Sequence, residues 1–247
     1  APTGELMPIE AMVEKEPVTV VCSEKGWLRA LRGHVEEGHD VRYKDGDKGR
    51  FWLHAQSTDK LVLFATNGRF YTLSCDKLPG GRGNGEPVRL LLDLANDQEI
   101  ISMMVHDPER KLLVASSDGR GFVVEEKATV AQTRGGRQVL NVSGDVEAAV
   151  CAPVQGDHLA VVGDNHKLLL FPLTELPEMN RGRGVVLQRY RDGGLADAKT
   201  MTLTDGLTWR QAGGRTRTET DLEMWLGKRS QAGRLAPKGF PKNHKFG

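Results

Sequence analysis

The chain has 247 residues, 38% hydrophobic and 27% charged, which excludes a largely disordered protein and suffices for one large core or two modest ones. A formal net charge of +1 gives no case for a polyanion partner from charge alone. Charge is nevertheless uneven: acids gather at Glu10, Glu14, Glu16, Glu36 and Glu37, whereas the stretch from Arg210 onward holds Arg215, Arg217, Lys228, Arg229, Arg234, Lys238, Lys242 and Lys245.

Taken in chain order, the predicted elements repeat. "VTVVCSEKGWLRALRGH" (18–34), "LVLFATNGRFYTLSCDKLPGGRGNG" (61–85), "LLVASSDGRGFVVEEKATVAQTRGGR" (112–137) and "LAVVGDNHKLLLFPLTELPEMNRGRG" (159–184) each show an apolar strand, a turn, a second strand and a loop. In each copy that loop is read as basic and rich in glycine. Gly26, Gly68 and Gly119 mark the turns, because Asn-Gly and Asp-Gly pairs tolerate positive φ and suit tight hairpins. At the fourth turn, "DNHK", Asn165 is expected to take the left-handed position. The turns fall about 42, 51 and 47 residues apart, a spacing that fits propeller-like blades of four short strands.

A fainter fifth copy runs through "LTWRQAGGRTRTETDLEMWLGKRSQAGR" (207–234). Terminal repeats are expected to be atypical, since one face has no neighbour. The expectation is an all-β fold: one domain over 1–240 of five blades, approximately 13–59, 60–107, 108–155, 156–199 and 200–240, followed by a basic C-terminal tail, 241–247. Two unrelated β-sandwiches are the alternative, although they predict no common order of turn and loop.

Five basic loops then line up: "ALRGH", "GGRGNG", "QTRGGR", "NRGRG" and "GKRSQAGR". Arginine binds phosphate bidentately, and glycine lets backbone come close to it, so a set of such loops suits a duplex backbone. No recognition helix or aromatic stacking set accompanies them, so sequence-tolerant, salt-sensitive binding is expected. With the basic residues of the hairpins added, the candidate DNA-binding set is Lys25, Arg29, Arg32, Arg69, Arg82, Arg120, Arg134, Arg137, Lys167, Arg181, Arg183, Arg215, Arg217, Lys228 and Arg229. The competing reading makes glycine the corner of each blade and arginine a solubilising residue at its edge.

Enzyme signatures are missing. There is no P-loop, GxSxG or HExxH, and the seven histidines lack metal-ligand spacing. Cys22, Cys75 and Cys151 lie far apart beside apolar runs, as buried thiols of a reducing cytoplasm would. No apolar run approaches the roughly 20 residues needed to cross a membrane. No signal peptide is visible, and "APTGELMP" reads as a cut from a longer chain.

The segments "SEKGWLRALRGH", "LVLFATNGRFYTLSCDKLPGGRGNGEP", "KLLVASSDGRGFV" and "LLLFPLTELPEMNRGRG" resemble the C-terminal DNA-binding β-pinwheel of the A subunits of bacterial type IIA topoisomerases, most closely its topoisomerase IV branch. The resemblance implies a non-catalytic five-bladed ring or spiral whose basic rim bends duplex DNA and presents the segment to be transported. It also implies no cofactor in this domain, with ATP and Mg2+ needed by the holoenzyme. Implied partners are the upstream cleavage domain and the B subunit of topoisomerase IV, the isolated domain being monomeric. The implied location is cytoplasmic and nucleoid-associated, with peripheral inner-membrane association open for the full-length protein. The gyrase branch carries a box of the kind QRRGGKG in its first blade; here that position reads "ALRGHVEEGHD", which keeps Arg32 and Gly33 and adds Glu36, Glu37 and Asp40. "QTRGGR" has the letters of such a box but sits in the third repeat, so Arg134 and Arg137 take the role of a phosphate-contacting loop and not that of the wrapping box.

Overall fold

The computed structural model describes residues 14–38 and 41–247; Glu10, Asp40 and the first residue of the expected first blade lie outside them. Among the described residues there are eighteen strands. They are β1 (Pro17–Ser23), β2 (Trp27–Arg32), β3 (Gly49–Gln56), β4 (Lys60–Ala65), β5 (Arg69–Ser74) and β6 (Glu86–Pro87), then a one-turn helix α1 (Val88–Leu91) and β7 (Ile100–Val105). The chain continues through β8 (Lys111–Ser116), β9 (Arg120–Glu125), β10 (Arg137–Gln138), β11 (Ala148–Pro153), β12 (His158–Gly163) and β13 (Lys167–Pro172). It ends with β14 (Val185–Val186), β15 (Leu195–Met201), β16 (Leu207–Arg210), β17 (Thr216–Glu219) and β18 (Arg234–Leu235). Among the described residues no helix is long and apolar enough to cross a membrane.

The hairpins form where the repeats place them, but their turns differ from the two-residue kind. Gly26, Gly68 and Gly119 each donate a backbone N–H to the residue three positions earlier, at 3.0, 2.9 and 2.9 Å, and have φ of 86°, 77° and 87°. The glycine is therefore the left-handed residue that follows a tight turn, as in three-residue hairpin loops. At the fourth turn His166, with φ 65°, takes this place, and Asn165 instead caps the turn by accepting the Lys167 N–H at 3.0 Å.

The strand orders are β3-β1-β2-β6, β10-β5-β4-β7, β11-β8-β9-β14 and β15-β12-β13-β18, with β16-β17 a two-stranded sheet. Three strands of each larger sheet come from one sequence repeat. The fourth, only two residues long, arrives from the next: β6 joins β2, β10 joins β5, β14 joins β9 and β18 joins β13. The expected divisions at 60, 108 and 156 therefore do not bound the sheets, and that at 200 falls inside β15. The fifth repeat, expected to have about four strands, holds a two-stranded hairpin and lends β18 away.

The chain divides into two compact units, Ala1–Leu63 with Tyr71–His106 and Val130–Gly136, and Phe64–Phe70 with Asp107–Thr129 and Arg137–Gly247. In the first, Val20, Val21, Leu28, Leu61, Leu63, Tyr71 and Val88 are fully buried. In the second, alternation splits the β12–β13 hairpin between two cores. Leu159, Val161, Leu169 and Phe171 pack with Leu113, Val123 and Leu187, while Ala160, Val162, Leu168 and Leu170 pack with Leu207, Trp209, Phe240 and Phe246. Because side chains on a strand alternate in direction, an uninterrupted apolar run fills both faces at once. Residues 241–247 do not trail from this core, since Phe246 is 5% exposed within it and its N–H donates to Asp197 Oδ2 at 2.9 Å. Cys22 and Cys75 are buried, and burial pushes both thiols up to about 12, whereas Cys151 is only half-buried.

Candidate nucleic-acid interface

Each loop between a hairpin and its lent strand runs along the same strand of the preceding sheet that the lent strand then pairs with. Ala30 donates its N–H to Pro79 O at 2.9 Å, Ala131 to Thr72 Oγ1 at 2.9 Å, Val123 to Pro177 O at 3.0 Å and Gly227 to Leu170 O at 2.9 Å. A glycine stands immediately before every lent strand, Gly85, Gly136, Gly184 and Gly233, with φ of 83°, 72°, 77° and 79°. A Cβ on Gly85, Gly184 or Gly233 would lie 2.2, 2.3 or 2.4 Å from the carbonyl oxygen of Leu28, Gly121 or Leu168. These glycines of the basic motifs therefore serve close backbone approach, which only a residue without Cβ permits.

The carbonyl two residues before each of these glycines accepts a hydrogen bond across the seam between consecutive repeats. Arg134 O accepts from Asp93 N–H at 3.0 Å, Gly182 O from Asn141 N–H at 2.8 Å and Gln231 O from Arg189 N–H at 3.1 Å. At the first seam Gly83 O accepts instead from the guanidinium of Arg29, which also donates to Arg42 O. Arg29 is only 5% exposed. Its place among the DNA-facing candidates is thereby corrected: its charge is used inside the fold, standing in for a backbone donor.

The remaining candidates fall into three groups. Arg82, Arg134, Arg181, Arg183 and Lys228 lie exposed on the loops, and Arg137 is exposed as the first residue of β10. Arg69, Arg120 and Lys167 are half-buried at the start of β5, β9 and β13, opposite Gln138, Val186 and Leu235 of the lent strands. Hairpin starts and loops are thus brought to the same end of each sheet. Arg120 and Arg183 line one cleft with Asp118 and Asn141, and Arg69 Nη1 donates to Gln138 Oε1 at 3.1 Å.

Several candidates do not join these clusters. Arg32 is the exposed last residue of β2, so "ALRGH" is a strand end and not the counterpart of the later loops. Lys25 sits in the first hairpin turn, its N–H bonded to Asp47 Oδ1 at 3.1 Å. Arg215 and Arg217 lie on the β16–β17 hairpin, and Arg217 donates to Lys238 O at 3.1 Å. Arg229 is half-buried and donates to Val186 O at 2.9 Å, so it holds its loop on the neighbouring strand. Two basic residues outside the candidate set gain a place. Arg234 begins β18 as Arg137 begins β10, a match its "GR" pair could have signalled, and Arg189 is exposed at the fourth seam, where no motif marks it.

Carboxylates stand beside two of the loop arginines. Arg134 Nε is 3.4 Å from Asp93 Oδ1, and Arg183 Nη2 is 3.9 Å from Asp118 Oδ2. The side chains of the first pair are 59% and 67% exposed, and exposed pairs hold weakly, so these guanidinium groups can exchange partners.

A family model described as DNA gyrase C-terminal domain, beta-propeller, matches residues 59–107, 110–150 and 157–195. The chain belongs to that family. The matched segments hold the second, third and fourth repeats with Arg82, Arg134, Arg137, Arg181 and Arg183. Over 238 residues, 96% of its length, the chain is 47% identical to the A subunit of DNA topoisomerase 4 from Caulobacter vibrioides, and over 99% of its length it is 42% identical to that of Rickettsia bellii. It spans 31% and 33% of those two relatives, about a third of their length. It is similar to the solved E. coli ParC C-terminal domain with a TM-score of 0.80 and 26% identity, covering 92% of this chain and 96% of that one. As a member of this family the chain has the β-pinwheel fold, in which four-stranded antiparallel sheets follow one another.

Proposed function

We propose that this chain is a non-catalytic domain of the topoisomerase IV A subunit that binds and bends duplex DNA without sequence specificity. Its role is to present the segment transported during ATP-dependent relaxation and decatenation. ATP and Mg2+ serve the rest of that holoenzyme, whose cleavage domain and B subunit are the partners of this domain, and its place of action is the nucleoid in the cytoplasm. The observation that carries the reading is the recurrence of exposed arginines within three residues of the glycine that seats a lent strand: Arg82 near Gly85, Arg134 and Arg137 near Gly136, and Arg181 and Arg183 near Gly184. One arginine in a turn is commonly only solvated, whereas spaced cations on rigid seams can each meet a phosphate.

Counterion release tests the reading. If about four phosphates are engaged, the logarithm of duplex affinity should fall against the logarithm of salt concentration with a slope near −3.6. Affinity that ignores salt, and also ignores Arg134→Ala with Arg137→Ala, overturns it and favours a protein-interaction scaffold. In the holoenzyme, strong negative supercoiling of relaxed plasmid would instead assign a gyrase-like wrapping role.

A further inference from the structure

The residue whose N–H crosses each of the last three seams occupies one structural position, yet its charge changes along the chain: Asp93, then Asn141, then Arg189. Two of these side chains touch the loop they hold. Asp93 Oδ1 lies 3.4 Å from Arg134 Nε, and Asn141 Oδ1 lies 3.4 Å from Arg181 Nε. We propose that this seam residue sets how strongly each loop engages DNA: Asp93 is a counter-charge that competes with phosphate for Arg134, Asn141 is neutral toward Arg181, and Arg189 is an added phosphate-binding cation. The proposal rests on the DNA-binding reading above.

Geometry keeps Asp93 in place. Its N–H is bonded to Arg134 O at 3.0 Å and its carbonyl accepts from the hydroxyl of Tyr71, whose residue is fully buried, at 3.3 Å. The backbone therefore cannot carry the carboxylate away when a phosphate approaches. That phosphate meets Arg134 already partnered and a negative charge well inside the screening distance of about 8 Å at physiological salt. At the fourth seam the fixed backbone presents the reverse, an exposed cation whose N–H is tied to Gln231 O at 3.1 Å. The loops of the third, fourth and fifth repeats thus differ in engagement through a residue outside the basic motif.

Asp and Asn have the same shape and both keep the backbone N–H, so Asp93→Asn and Asn141→Asp are opposite tests of one idea. Affinity for a mixed-sequence duplex is measured across a salt series for the native 247-residue chain and the variants, with thermal unfolding recorded for each. Asp93→Asn should bind about twofold to fivefold tighter at low salt, the range of an exposed ion pair, and Asn141→Asp correspondingly weaker. Arg189→Ala should weaken binding and flatten the salt slope by about 0.9, one phosphate. Unchanged affinity and slope in both exchange variants, while Arg134→Ala weakens binding, would overturn the seam proposal and leave the DNA-binding reading standing. A native chain without salt-dependent binding overturns both.

Discussion

The β12–β13 hairpin of the fourth sheet is buried on both faces and closed on both edges, by β15 and by β18, whereas β16–β17 of the fifth repeat pairs only with itself among the described residues. The hairpin strands of the fifth repeat are also shorter, four residues against six, and β17 is almost wholly exposed. Its apolar side chains Leu207 and Trp209 are nevertheless as buried as those of the fourth sheet. The difference lies in what covers them: Phe240 and Phe246 stand edge-on to each other at 5.5 Å between ring centroids, and Phe240 meets Trp209 at 5.4 Å. The fourth sheet is completed by a strand from the next repeat, whereas the β16–β17 hairpin is covered by the segment that follows it, through Phe240 and Phe246.

Removing that cover gives the largest expected effect. Phe246→Ala should destabilise the protein by about 3–5 kcal/mol, as for a buried phenylalanine, measured by urea unfolding. A change no larger than that of an exposed substitution would mean that Phe246 does not cover the β16–β17 hairpin. Next comes the seat of a lent strand. Gly184→Ala combines a left-handed backbone, about 1–3 kcal/mol, with a Cβ 2.3 Å from Gly121 O, whereas Gly213→Ala in the β16–β17 turn meets nothing within 4 Å and carries the backbone strain alone. Equal losses of melting temperature in these two variants would break the comparison.

For DNA, Arg134→Ala with Arg137→Ala should flatten the salt slope by about 1.8, and Arg215→Ala with Arg217→Ala by less, because Arg217 is already bonded to Lys238 O. The smallest effect is a pH dependence at the fourth hairpin turn, where His166 meets Phe240 and His244 edge-on. Burial, and then the neighbouring His244, hold the His166 imidazole below its ordinary value of 6.5. The unfolded chain therefore takes up this proton first, so the stabilisation is present above about pH 6.5 and is lost as pH falls through the lowered folded value. His166→Asn, which tolerates the left-handed turn, should remove that dependence, read as the pH profile of melting temperature between about 5 and 7.

Much of the architecture was legible in the sequence. Runs such as "LAVV" and "LLLF" could only fill both faces of a strand, and the turn glycines marked the hairpins. The lent strands were not, because Glu86–Pro87, Arg137–Gln138, Val185–Val186 and Arg234–Leu235 share no composition and pair through their position after a glycine. The burial of Arg29 was hidden for the same reason, since a backbone acceptor, Gly83 O, leaves no mark 54 residues away. "FPKNHKFG" read as basic because its charges are conspicuous, although its two phenylalanines decide where it lies. Asp93, Asn141 and Arg189 differ in type, so only their shared hydrogen bond shows that they are one position.

Lending a strand forward also interlocks the chain as dovetail joints lock boards. The shortest continuous stretch that contains β8, β9 and β11 also contains β10, which belongs to the sheet before, and stops short of β14. No pair of cuts can release that sheet whole without strands of its neighbours. Exchanging one repeat therefore alters two sheets at once, the one whose three strands it holds and the one to which it lends a fourth.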